Sequence, residues 1–130
     1  MEVELFALCD YAVNNGGKLT IVGTFDTLTA PKFPWRAYFG VAVKLDMEGE
    51  PLVGRSFNMY IYREGDKENR IFEARTPLEP KDAEKMVLAG NIKGLIFGEP
   101  ARYHYVLAVD DNLLGDYEFN VVLKDEDGKQ

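Results

Sequence analysis

Short alternating runs of apolar and polar residues, each closed by Gly, Asn, Asp or Pro, recur along the whole chain. Alternation with period two is the signature of a strand, because successive side chains point to opposite faces. From Glu2 to Val13, residues Val3, Leu5, Ala7, Cys9, Tyr11 and Val13 share one face. Phe6 and Leu8 occupy the other, which predicts a strand covered on both sides. Asn14-Asn15-Gly16-Gly17 follows, and Asn and Gly accept the positive φ that a tight hairpin turn demands. Lys18 to Leu28 reads as the return strand, with Gly23 marking a bulge or a close approach. Trp35 to Asp46 places Trp35, Ala37, Phe39, Val41, Val43 and Leu45 inward, and Leu52 to Glu64 does the same with Val53, Phe57, Met59 and Ile61. Asn69 to Arg75, Met86 to Phe97, Arg102 to Val109 and Gly115 to Lys124 complete about eight strands with regular turn signals. The last of these carries Tyr117, Phe119, Val121 and Leu123 on one face.

A set of strands this short and regular predicts an all-β, antiparallel β-sandwich, with a barrel as the alternative. The segment from Thr29 to Pro34 decides between them. Pro31 and Pro34 each remove a backbone donor, so the segment is expected to cross from one sheet to the other. Thr76 to Lys85 is the weakest region for strand; Pro80 could open one helical turn, and a polar loop is equally compatible. The chain's 130 residues suit a single domain, read as 1–124 with a short charged tail at 125–130. A domain of that size buries about two-thirds of its unfolded surface, so one core suffices without staples.

Charge and cysteine usage narrow the setting. Twenty-two acidic against fifteen basic side chains give a net charge of −7, which repels phosphate backbones and anionic lipid. Neither nucleic acid nor a membrane is therefore expected as a partner. With one cysteine, Cys9, no internal disulfide can form. The opening Met-Glu-Val-Glu lacks the features of a signal peptide, and no apolar run approaches the roughly 20 residues that span a bilayer. A cytoplasmic location is expected.

Catalytic equipment is sparse. The chain has one Cys (Cys9), one His (His104) and one Ser (Ser56). A nucleophile, base and carboxylate set would have to join His104 to Ser56 or Cys9. Cys9 is expected to be a buried, inert thiol. Ser56 lies mid-strand without a nucleophile elbow, and His104, between Tyr103 and Tyr105, is expected to face solvent. Gly16-Gly17-Lys18 is followed by Leu19 and a strand, so it is not a phosphate loop. One His and one Cys cannot make a zinc site without Asp or Glu. Asp110-Asp111-Asn112 shares one turn and is the conceivable calcium locus, although acidic turns are usually just solvated. The Asp125-Glu126-Asp127-Gly128 run only echoes a calcium loop. Nothing nominates a cofactor, a metal ligand set or a catalytic residue.

Three stretches resemble an uncharacterised family of bacterial proteins of about this length. They are Leu8 to Ala12 with Gly17 to Asp26, Phe33-Pro34, and the closing pattern from Asn91-Ile92 through Tyr103-His104-Tyr105 to Val109-Asp110-Asp111. The resemblance implies an immunoglobulin-like sandwich and no activity. Strict alternation sets Tyr38, Tyr60 and Tyr62 opposite the inward residues, so these three are expected to share the outer face of one sheet. Outward aromatics are the composition of an interface core; the first expectation is that the Thr76 to Lys85 segment covers this face, and a homo-oligomer through it is the second. The leading expectation is a non-enzymatic binding or protein-interaction module. A small-ligand or carbohydrate-binding sandwich is the alternative, followed by a hydrolase using two carboxylates.

Overall fold

The computed structural model describes residues 1–50, 54–77 and 85–124. Among these, the elements are β1 (Glu2–Asn15), β2 (Lys18–Phe25), β3 (Thr27–Ala30), β4 (Trp35–Asp46), β5 (Ser56–Arg63), β6 (Arg70–Pro77), β7 (Lys85–Phe97), β8 (Ala101–Val109) and β9 (Asn112–Leu123). They build a four-stranded sheet of order β2-β1-β4-β7 and a five-stranded sheet of order β3-β9-β8-β5-β6. Neighbours run antiparallel except β3 beside β9, which are parallel. The molecule is thus the β-sandwich that the alternation predicts. No helix among the described residues is long and apolar enough to cross a membrane.

The core lies between the sheets and is filled by alternate residues of the central strands. Phe39, Val41, Val43 and Leu45 of β4 meet Phe57 and Ile61 of β5, Tyr105, Leu107 and Val109 of β8, and Phe119 and Val121 of β9. Their inward direction follows from period two alone. Trp35 starts β4 on the same face but is only half-buried, stacked on Phe97 at a 6.2 Å centroid separation. It sits at the rim of the core, since the strand begins where the sheets part.

The hairpins use the turn chemistry that the sequence advertises. Gly16 and Gly17 have φ of 61° and 89°, and Asn15 pairs with Lys18 across them. Asp110 and Asp111, at φ 48° and 71°, join Val109 to its partner Asn112 in the same way. Positive φ at both central residues is the type I′ geometry whose twist matches the flanking strands.

Three expectations need correction. The first concerns β1, whose pairing with β4 shifts between Val3 and Leu5. That bulge reverses the alternation. Met1 and Val3 pack on the core before it and Phe6 and Leu8 after it, while Leu5 and Tyr11 are exposed. Cys9 is fully buried, but on the opposite side of the sheet, in a small cluster with Ala12 and Ala42. The second concerns the crossing. The chain leaves the first sheet at Asp26, and Thr29 and Ala30 pair with Val122 and Leu123 as part of β3. Pro31 to Pro34 then returns it to β4, so there are two crossings and a ninth strand. The prolines fall in the return, where no ladder needs their missing donors. The third concerns Tyr38, Tyr60 and Tyr62, described below. Residues 51–53, most of the Thr76 to Lys85 connection and the 125–130 tail lie outside the described residues.

Past Cys9 and Gly40, β1 stops pairing with β4, which leaves Ala12 without strand partners on that side. Asn91 of β7 fills the place. Its Nδ2 donates to Ala12 O at 3.0 Å and its Oδ1 accepts from Ala12 N at 3.2 Å. The amide reaches over Gly40, where a Cβ would stand 2.9 Å from both Ala12 N and Asn91 Oδ1. Glycine is required there by space rather than by backbone conformation.

Candidate functional site

Tyr38, Tyr60 and Tyr62 do not share a face. Tyr38 is on β4 of the four-stranded sheet, and Tyr60 and Tyr62 are on β5 of the five-stranded one. Alternation places each opposite to the core but cannot say to which sheet a strand belongs. Tyr38 is 65% exposed and borders a groove with Tyr11, Asp10, Asn91 and Lys93. Tyr60 carries the Arg70 guanidinium 3.7 Å above its ring centre. Tyr62 is buried, stacked on the His104 imidazole at 4.8 Å with the rings 5° from parallel. Its phenol is pushed up by burial and by the charge of the neighbouring Asp116.

A second cleft lies at the side of the sandwich where β1 and β2 face β9. Phe6, Phe25, Tyr117 and Phe119 line a cleft of about 540 Å³, with Thr24, Asp26 and Glu118 at its polar margin. The bulge in β1 turns Phe6 into this space, where it stacks on Tyr117 at 4.0 Å and 10°. Phe25 ends β2 at the point where the chain departs for the second sheet, and its ring meets Phe39 edge-on at 6.0 Å. The Tyr117 phenol is raised by burial, so it presents a neutral hydroxyl. Aromatic walls with a few polar groups are the usual make-up of a small-molecule site. The individual aromatic residues were legible in the sequence, but their convergence depends on the β1 bulge and the early crossing at Asp26.

The outer face of the five-stranded sheet gathers a second constellation. Register sets His104 opposite both Tyr62 and Glu118. His104 Nδ1 lies 2.7 Å from Asp116 Oδ1, and Nε2 lies 3.4 Å from Glu64 Oε1. Arg102 stands 3.9 Å from Glu64 Oε1 and 3.7 Å from Glu118 Oε2. Under the Tyr62 ring the His104 side chain is only 12% exposed. It occupies the solvent side of its sheet, as its flanking tyrosines predict, yet it is largely covered.

The remaining sequence candidates are dispersed. Cys9 and His104 lie on opposite outer faces with the core between them. Burial raises the Cys9 thiol, which disfavours the thiolate. The backbone N–H of Ser56 donates to Asp110 Oδ1 at 3.1 Å. Asp110 also accepts from Arg55 Nε at 2.9 Å. The Ser56 and Arg55 bonds hold its carboxyl below the usual range. Its carboxylate therefore ties the hairpin to β5.

Comparison with known proteins gives little beyond membership. No curated protein matches the chain. Among solved structures, it is similar to a superoxide reductase (neelaredoxin) from Ignicoccus hospitalis T24K, at 14% identity over 75% of this chain and 73% of that one, with a TM-score of 0.39. A family model, that of a family of unknown function (DUF6941), matches residues 4–122, nearly the whole sandwich, and the chain belongs to that family.

Proposed function

We propose that the protein is a non-enzymatic binding module that takes a small, partly aromatic or apolar ligand in the cleft between β1–β2 and β9. The observation that carries this reading is the convergence of Phe6, Phe25, Tyr117 and Phe119 on one concavity with an acidic margin at Asp26 and Glu118. A flat apolar body would stack on the rings, and a neutral or cationic polar group would face the carboxylates. Dispersal of Cys9, Ser56 and His104 supports the non-enzymatic part of the reading. A cytoplasmic location suits a lone, unpaired thiol.

The immunoglobulin-like character belongs to the same proposal. Its support is the strand order, in which β3 runs parallel to the final strand β9 and β9-β8-β5-β6 continue that sheet. A further support is Tyr103, near the start of β8, whose hydroxyl donates to Glu99 O at 3.0 Å, four residues upstream. That contact has the form of the tyrosine corner of such sandwiches.

The test is an amide chemical-shift screen of the labelled protein against small aromatic cations, neutral aromatics and sugars. Shifts concentrated at Thr24, Phe25, Asp26, Tyr117 and Glu118, and lost in Phe25→Ala, are expected. Shifts that instead gather at Tyr11, Tyr38 and Lys93 would move the site to the groove on the other sheet. Absence of any saturable shift would remove the small-ligand reading.

A further inference from the structure

We propose that Glu64, His104 and Glu118 form a binding site for one divalent first-row transition metal ion of the zinc type, oriented by Asp116. Glu118 also stands at the margin of the aromatic cleft, but the inference does not rest on a ligand being bound there.

Three elements supply the ligands. Glu64 follows β5, and its backbone N–H donates to Arg102 O at 2.8 Å. That bond fixes Glu64 beside β8. His104 projects from β8, and Glu118 is its direct cross-strand partner on β9. One ligand atom from each lies within 4.8 Å of the others. Two metal–ligand bonds of about 2.0–2.1 Å at the tetrahedral angle set their donor atoms about 3.4 Å apart. His104 Nε2 and Glu64 Oε1 already have that spacing, 3.4 Å. Glu118 is 54% exposed, so its side chain is free to close the remaining distance.

The contacts that hold the imidazole add to the proximity. Asp116 accepts at Nδ1 across 2.7 Å, so Nδ1 carries the proton in the neutral ring. Nε2 is then a bare lone pair aimed at a carboxylate oxygen. The 3.4 Å gap between Nε2 and Glu64 Oε1 is one that a metal ion can bridge. Three carboxylates, Glu64, Asp116 and Glu118, stand against one guanidinium, Arg102, which leaves two negative charges around a neutral imidazole. A divalent ion balances that charge. The carboxylate–histidine pair also matches the outer support that metal-bound histidines use to fix ring orientation. Tyr62, stacked on the ring, blocks its rotation. Arg102 contacts both carboxylates from 3.7 Å or more and is itself 49% exposed, so it can withdraw when the ion enters. One nitrogen and two carboxylate oxygens favour zinc, cobalt or manganese over copper(I), and leave coordination positions for water.

The experiment is titration of the full, tag-free chain with Co2+ and Zn2+ at neutral pH, read by calorimetry, by cobalt visible absorption and by the ¹⁵N shifts of the His104 ring. One equivalent should bind, with cobalt bands without thiolate charge transfer and a shift of Nε2 larger than that of Nδ1. His104→Gln and Glu118→Gln should each weaken binding at least tenfold. Asp116→Asn should weaken it by about 10–100-fold, the range for a carboxylate that orients a metal-bound histidine, and Arg102→Gln should leave it equal or tighter. The proposal falls if millimolar metal produces no saturable heat and no His104 shift. It falls equally if His104→Gln binds as tightly as the native chain, or if the cobalt spectrum shows thiolate ligation. Should a variant melt early, the ring ¹⁵N shifts of the native protein decide the question without it.

Discussion

Removing the Asn91 amide tests how the first sheet is held together where its own ladder lapses. Asn91→Ala deletes the two hydrogen bonds to Ala12, at 3.0 and 3.2 Å. Each is worth about 1 kcal/mol net, and a buried backbone group left unpaired costs about 1–3 kcal/mol. Ala12 is buried, 2% exposed, but Asn91 itself is open to solvent, so water can replace part of what is lost. The expected destabilisation is about 2 kcal/mol, or a melting point about 6–10 °C lower for a domain of this size. Urea denaturation followed by the Trp35 fluorescence gives the free energy directly. Gly40→Ala should cost a comparable amount, because its new Cβ displaces the same amide. The two substitutions act on one bridge, so the double variant should lose clearly less than their sum. A loss under about 0.5 kcal/mol for Asn91→Ala, or full additivity with Gly40→Ala, would refute the view that this side chain substitutes for a missing strand partner.

Other outcomes follow from the same packing. A thiol reagent should label Cys9 only after denaturant is added, because the side chain is fully buried and burial raises its thiol. Phe39→Ala should cost about 3–5 kcal/mol by urea denaturation, the range for a core aromatic; Trp35→Ala, at the half-buried rim, should cost clearly less. Tyr38→Lys should leave stability within about 0.5 kcal/mol, while Tyr62→Lys, which loses a buried ring and the His104 stack, should destabilise measurably in the same assay. Burial holds the Tyr105 phenol well above its ordinary value. A folded-state value above the unfolded one favours the native state while tyrosine is protonated. That contribution is complete below about pH 10 and is lost as pH rises further. An ultraviolet titration should therefore show Tyr105 ionising together with alkaline unfolding rather than before it.

Alternation, turn residues and composition were enough to establish a β-sandwich, the inward faces of β4 and β5, and the hairpins at Gly16-Gly17 and Asp110-Asp111. Those features are local: side-chain direction follows from period two, and positive φ follows from residue type. The breaks in locality are what the sequence did not disclose. A single bulge after Val3 exchanged the faces of β1, moving Phe6 into the cleft and Cys9 out of the main core. Because the period is two, one inserted residue exchanges the faces of the stretch that follows, here through Cys9. Assignment of strands to sheets was likewise hidden, so Tyr38 read as a neighbour of Tyr60 and Tyr62 although a whole sheet separates them. His104, Glu118, Glu64 and Asp116 look like four ordinary polar residues along the chain. Only the register between β5, β8 and β9 brings them together, since cross-strand pairing is set by the packing of both sheets and not by any segment alone.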